Sequence, residues 1–320
     1  MFRRLFLCTG FCLAVALPAL AGDTVRVAVQ AAGTLAWEID VIRQHKLDAG
    51  LDLKIVEQAG PEAGRIALKG GAADVIVSDW LFVARERSLG GTLKFAPYST
   101  SVGAVMVPKD SPAKTLADLR GKKLGVAGGA IDKGWLLIQA AAKLDGIDLK
   151  KDTTLAFGAP PLLMEKALQG ELDANLNFWN LCARMEARGF RRLVSVEEAE
   201  QKLGLAAPNA LIGYVFDESF VKDSPQALEK FLAAAREAKK ILAASDAEWE
   251  RIRPLMKVED DASFTATRAR YREGIPSRPV VEEAADAAKL YKLLHEVGGA
   301  GLTGPAGELD AGVYYMGAAQ

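Results

Sequence analysis

Apolar positions along the chain switch between a period of two and a period near 3.6. Thr24 to Gln30 (TVRVAVQ) alternates and is rich in β-branched residues, which predicts a strand. Trp37, Val41 and Ile42 share a helical face within 37–47, and Leu51 to Glu57 returns to strand character. A helix over Glu62 to Leu68 and a strand over Asp74 to Ser78 follow. Strand–helix–strand–helix–strand predicts a parallel, doubly wound sheet. From Lys94 the rhythm changes: Phe95 to Val107 holds two extended stretches around a Ser/Thr/Gly break, as a crossover between lobes would. Thr115 and Asp118 have capping-box spacing, and Lys123 to Ala127 is a strand. Gly128-Gly129 then opens a helix with Ile131, Trp135, Ile138 and Ala142 on one face. A short strand and loop over 156–161, a helix to Leu168 and a strand to Asn177 complete a second α/β unit. Leu211 to Phe216 is a single extended segment, the expected return crossover. Helices over 224–242, 246–256, 262–272 and 281–297 are expected to pack on the first lobe, with a surface tail from Gly298.

Two segments nearly repeat. Ala67-Leu-Lys-Gly-Gly-Ala-Ala-Asp74 and the apolar run to Trp80 are echoed by Ala167-Leu-Gln-Gly-Glu-Leu-Asp173 and the run to Trp179. Each reads as a helix end, a glycine turn, an Asp, a short strand and a Trp. The echo implies two similar lobes whose strand ends, where ligands bind in open α/β sheets, face one cleft. The expected division is 22–98 with 214–320 for lobe one and 99–213 for lobe two. Trp80 and Trp179 should then face each other across the cleft.

Composition adds a destination. Arg3 and Arg4, an apolar run from Leu5 to Leu17, Pro18 and Ala19-Leu-Ala21 form a secretory leader over 1–21, with cleavage between Ala21 and Gly22. The chain is therefore expected in the periplasm, and Cys8 and Cys12 lack a lipoprotein context. Beyond the leader, 38 basic residues stand against 41 acidic ones, offering no basic stripe for nucleic acid. Cys182 is the one cysteine left after cleavage, so no intramolecular disulfide is expected.

The candidate chemistry sits at the strand ends. Gly128 and Gly129 before Asp132 and Lys133 expose backbone N–H groups at a helix N-terminus, an anion-binding arrangement or a plain tight turn. Trp37, Trp80 and Trp179 follow strand ends and can stack on a ligand, whereas Trp135 has core spacing. Ser78, Asp79, Asn177 and Asn180 flank the indoles with short polar groups, and Tyr98, Ser99 and Thr100 lie at the crossover. Glu38, Asp40 and Asp132 make the expected cleft mildly acidic, and Lys133 is read as a solvated lysine. Gly299-Ala-Gly-Leu-Thr-Gly304 fits a dinucleotide fingerprint but follows a helix, so it carries no such meaning. His45 and His295 are solitary on charged helical stretches; neither catalysis nor a metal is expected, and no cofactor.

Ser111-Pro-Ala-Lys-Thr-Leu-Ala-Asp118-Leu-Arg-Gly-Lys-Lys-Leu-Gly-Val126, with Gly170-Glu-Leu-Asp-Ala174 and the leader, resembles the periplasmic solute-binding proteins of the nitrate/sulfonate/taurine type, a family that includes thiamine-precursor binders. The resemblance implies a type II periplasmic-binding-protein fold: two doubly wound lobes joined by two crossover strands, here with extra C-terminal helices. It also implies a monomer that captures a small organic solute, sulfonate-like or pyrimidine-like, and delivers it to an inner-membrane ABC permease. Ligand contacts would come from Gly33, Thr34, Trp37, Ser78, Asp79, Trp80, Gly129, Asp132 and Trp179; the residues themselves add Tyr98, Gly128 and Asn177. The first loop, Ala31 to Trp37, departs from the thiamine-precursor members. An enzyme related to pyrimidine synthesis on the same fold, or a periplasmic sensor without its own permease, are the alternatives.

Overall fold

The computed structural model describes residues 23–30, 33–258 and 260–317; the expected leader and its cleavage point lie outside them. Ten strands run in chain order: β1 (Thr24–Gln30), β2 (Asp52–Gln58), β3 (Ile76–Asp79), β4 (Leu93–Ser99), β5 (Gly103–Pro108), β6 (Lys123–Ala127), β7 (Thr154–Gly158), β8 (Ala174–Phe178), β9 (Phe190–Ser195) and β10 (Ile212–Asp217). β1 pairs in parallel with β2, and a parallel bridge from Val27 to Val75 ties β1 to the start of β3. β10 then runs antiparallel between β3 and β4. The first lobe therefore has the order β2-β1-β3-β10-β4, and the second has β7-β6-β8-β5-β9. The two orders superpose element for element: each has three parallel strands, then one antiparallel strand arriving from the other lobe, then an edge strand. The fold class is the expected one, two doubly wound lobes joined by two crossovers.

The sequence echo has a structural cause. Asp74 accepts a hydrogen bond from the backbone N–H of Arg26 (2.7 Å), while its own N–H donates to the Arg26 carbonyl (2.8 Å). Asp173 does the same with Lys123, at 2.8 and 3.0 Å. In both lobes the Asp clamps the third strand to the first before the ladder begins. The backbone N–H groups of Trp80 and Trp179 are matched as well. They donate to the carbonyls of Leu211 and Val102, the residues that lead into β10 and β5.

Leu211 to Phe216 is the expected return crossover, and from Ile212 it is also an interior strand of the first sheet, flanked by β3 and β4. Two other expectations need correction. The C-terminal helices do not all cover the first lobe. Asp261–Glu273 packs along Trp179–Ala187 of the second lobe, and Val280–Gly298 touches Lys133–Leu144 there. The tail is not wholly superficial. Val313, Tyr314 and Tyr315 are buried, and the Phe95 backbone exchanges hydrogen bonds with Val313 and Tyr315, because the aromatic pair covers the β4 edge. No helix among the described residues is long and apolar enough to cross a membrane.

Candidate functional site

Six helices begin at one cavity. Leu35–Gln44, Pro61–Lys69 and Trp80–Ser88 follow β1, β2 and β3; Lys133–Leu144, Pro160–Leu168 and Trp179–Ala187 follow β6, β7 and β8. The cavity between the lobes has a volume of about 250 Å³, and each of the six N-termini supplies at least one lining residue. Doubly wound topology dictates this arrangement, since every parallel strand must hand its chain to a helix at the same sheet edge. Only Trp80–Ser88 and Lys133–Leu144 have a side-chain cap, from Asp79 and Asp132. The other four N-termini have no side-chain cap, so the positive ends of four helix dipoles point inward.

The charged side chains form one pair per wall. On the first lobe, the Arg65 guanidinium donates to Asp79 Oδ2 (2.9 Å) and to Ser78 Oγ (3.2 Å), with Glu62 3.7 Å away and the Phe82 ring beneath it. Asp79 Oδ1 meanwhile accepts from the Phe82 N–H. On the second lobe, Asp132 Oδ1 accepts from the N–H groups of Gly134 and Trp135, and Lys133 Nζ lies 3.4 Å from Asp132 Oδ2 and over the Phe178 ring. Apolar surface comes from Val77, Val102, Ile131, Phe178, Trp179 and Ile212.

Under the floor lies a buried ionic cluster. Tyr98 lines the cavity and shares a 2.9 Å hydrogen bond with Thr34. Against the Tyr98 ring sits Lys239 Nζ, 3.8 Å from its centroid. Lys239 donates to Glu38 Oε1 (2.5 Å), as does the Tyr271 hydroxyl, and Tyr214 donates to Oε2 (2.8 Å). Glu38 is fully buried. Burial holds the Tyr98, Tyr214 and Tyr271 phenols well above their ordinary range, with the Glu38 charge adding to it, and burial lowers the Lys239 ammonium against the opposing pull of Glu38.

Of the residues expected at the site, Gly33, Thr34, Ser78, Asp79, Tyr98, Gly128, Asp132 and Trp179 line the cavity, as does Asn180. Four lie elsewhere. Trp80 does not face Trp179: it is fully buried in the first lobe, and its Nε1 donates to Asn209 Oδ1 (3.1 Å). Trp37 packs among Trp179, Trp249 and Tyr271 with centroids 5.9–6.2 Å away. Asn177 turns behind the wall to Asn175 and the Pro160 carbonyl, and Gly129 is absent from the lining. Nor is the cavity acidic in the expected way. Glu38 is sealed beneath the floor and Asp40 pairs with Arg251, leaving Asp132 of those three. Lys133 is no solvated lysine; its side chain is 13% exposed. Arg65 went unnoticed, although its place one turn into a helix that starts at a strand end is a readable signal.

Neither histidine lies at the cavity: His45 contacts Glu248, and His295 contacts Thr303. Cys182 is buried, its thiol against the Asn177 carbonyl and pushed up to about 12 by burial, so it stays protonated at neutral pH.

Solved structures share this fold. The alkanesulfonate-binding protein SsuA of Xanthomonas axonopodis pv. citri, bound to MOPS, superposes with a TM-score of 0.69 at 17% identity, over 92% of this chain and 98% of that one. The periplasmic aliphatic sulphonate binding protein SsuA of Escherichia coli gives 0.66 at 19% identity, over 86% and 94%. The desulfurization enzyme DSZB gives 0.59 at 16%, over 88% and 96%. No curated protein sequence matches the chain. The family model described as NMT1/THI5 like matches residues 47–248, well over half of the 320-residue chain, and the chain belongs to that family.

Proposed function

We propose that this protein is the periplasmic solute-binding component of an ABC importer, holding a small organic solute between its lobes without transforming it. The observation that carries the reading is the interlobe cavity: each lobe contributes three helix N-termini and one acid–base pair to it. A ligand touching both walls stabilises the closed arrangement by contacts that an open one lacks. In this reading residues 1–21 are removed on export, the lobes divide near residues 98 and 213, the mature chain acts as a monomer, and an inner-membrane permease receives the closed form. The sulfonate-binding neighbours support a solute with an acidic group, and the membership supports a pyrimidine-like one. Gly33, Thr34, Ser78, Asp79, Tyr98, Gly128, Asp132 and Trp179 are the proposed contacts.

DSZB keeps an enzymatic reading in view. Against it stands the chemistry of the lining: the thiol is sealed and protonated, and neither imidazole reaches the cavity. Calorimetry of the mature chain against alkanesulfonates, taurine and aminopyrimidines, with small-angle scattering of the same samples, tests the proposal. Binding should come with compaction and an unchanged solute. Turnover, or no binding across the panel, would refute it.

A further inference from the structure

The charges paired on the two cavity walls, Arg65 with Asp79 and Lys133 with Asp132, are not equally committed. Arg65 gives two of its five N–H donors to Ser78 and Asp79, has Glu62 3.7 Å away and lies on Phe82, so its charge is already paired within its own lobe. Asp79 and Asp132 each spend one oxygen on a helix N-terminus, which offsets their charge locally. Lys133 differs. Among the described residues its one acceptor is Asp132 Oδ2 at 3.4 Å, long for a charge-assisted bond, and the Phe178 ring covers one side of it. An ammonium with three donors, mostly withdrawn from water and facing a cavity, is under-coordinated.

Its neighbourhood fixes the sign of what completes it. Phe178 precedes the uncapped helix Trp179–Ala187, whose first residues Trp179 and Asn180 also line the cavity. A cation and an uncapped N-terminus therefore converge on the second wall, backed by the Phe178 and Trp179 rings. We infer that Lys133 is the charge-reading residue of this site: it takes the acidic group of an organic monoanion, a carboxylate or a sulfonate, whose apolar body lies on Phe178 and Trp179. This rests on the solute-binding reading and adds to it the residue that sets ligand charge.

The test uses the full mature chain and four probes of similar shape: benzoate, benzenesulfonate, neutral benzamide and cationic benzylamine. Calorimetry is run on the native protein, Lys133→Gln and Lys133→Arg, with thermal melts confirming that each variant folds. At least one anion should bind and benzylamine should not. Loss of a hydrogen bond to a charged group predicts anion binding weakened about 10- to 150-fold in Lys133→Gln. Lys133→Arg should retain most of it. Benzamide, however weak, should bind both proteins alike. Equal anion affinity in Lys133→Gln would overturn the assignment, as would preference for benzylamine. If benzamide binds and compacts the lobes while neither anion binds, the solute-binding reading stands and Lys133 loses its role. If none of the four binds, the Lys133 assignment fails, and the panel of alkanesulfonates, taurine and aminopyrimidines decides the solute-binding reading separately.

Discussion

Breaking the Glu38–Lys239 pair should unsettle the first lobe, and pairing the two changes should restore much of the loss. Lys239 reaches Glu38 from a residue 201 positions away, so the contact ties helix Pro225–Ala244 to helix Leu35–Gln44. Lys239→Met removes the ammonium and leaves a fully buried carboxylate to neutral hydroxyls such as those of Tyr214 and Tyr271. Glu38→Gln leaves the buried ammonium against the Tyr98 and Tyr271 rings. Removing one partner of a buried pair costs about 3–5 kcal/mol. At a guanidinium slope of about 4 kcal/mol/M, that lowers the unfolding midpoint by about 1 M. The double variant buries no unpaired charge, and its loss should be smaller than that of either single one, giving a coupling of at least about 3 kcal/mol in the cycle. Denaturation followed by far-UV circular dichroism measures all four proteins. Singles costing under about 1 kcal/mol, or a double equal to their sum within about 0.5 kcal/mol, would refute this account of the floor.

Three further outcomes are expected. Burial, then Glu197 and Glu283, holds the Glu200 carboxyl well above its ordinary 4.5, so the native state keeps that proton longer than the unfolded chain. The stability this gives is complete below 4.5 and is lost as pH rises through the native value. Melting curves across pH should therefore show Glu200→Gln more stable than the native protein at pH ~8, the gap closing toward pH ~4.5; a gap independent of pH contradicts it. Asp74→Asn and Asp173→Asn each weaken a charge-assisted clamp and should cost about 1.5–3 kcal/mol by denaturant unfolding. Asp74→Asn should cost more because Asp74 also takes the Arg26 guanidinium, and equal losses would count against that ranking. Trp80→Phe should lower the melting temperature, yet leave solute affinity in calorimetry unchanged, whereas Trp179→Phe should weaken it. An affinity loss in Trp80→Phe would contradict its burial behind Asn209.

Much of this architecture was legible where periodicity and punctuation agree. Lys123–Ala127 and Asp246–Met256 have the expected bounds, and Thr115 with Asp118 forms the expected capping box. The repeat announced two like lobes because each Asp performs the same backbone clamp. Side-chain direction was less legible. Successive helical residues turn by about 100°, so Trp37, two positions after cavity-lining Leu35, points about 200° away toward Trp249. Trp80 and Trp179 occupy matched backbone positions but meet different neighbours. Asn209, on the segment that leads into β10, gives the first an acceptor away from the cavity, and Tyr271 and Trp37 flank the second. Lys133 looked like an ordinary lysine because the Phe178 ring that covers it comes from a strand far along the chain. The same blindness hid the C-terminal helices' attachment to the second lobe, a contact between segments far apart in sequence.

The placement of β10 sets an order in which the molecule can be completed. Strands β5 to β9 are contiguous in the chain, so the second sheet has all its members once Ser195 has emerged. The first sheet begins earlier and finishes later, because the strand between β3 and β4 is made only at 212–217. Until then β3 and β4 have no shared partner, and two edges rich in unpaired N–H and C=O groups stand open. Chain growth thus completes the second sheet first and leaves the first one waiting on its keystone.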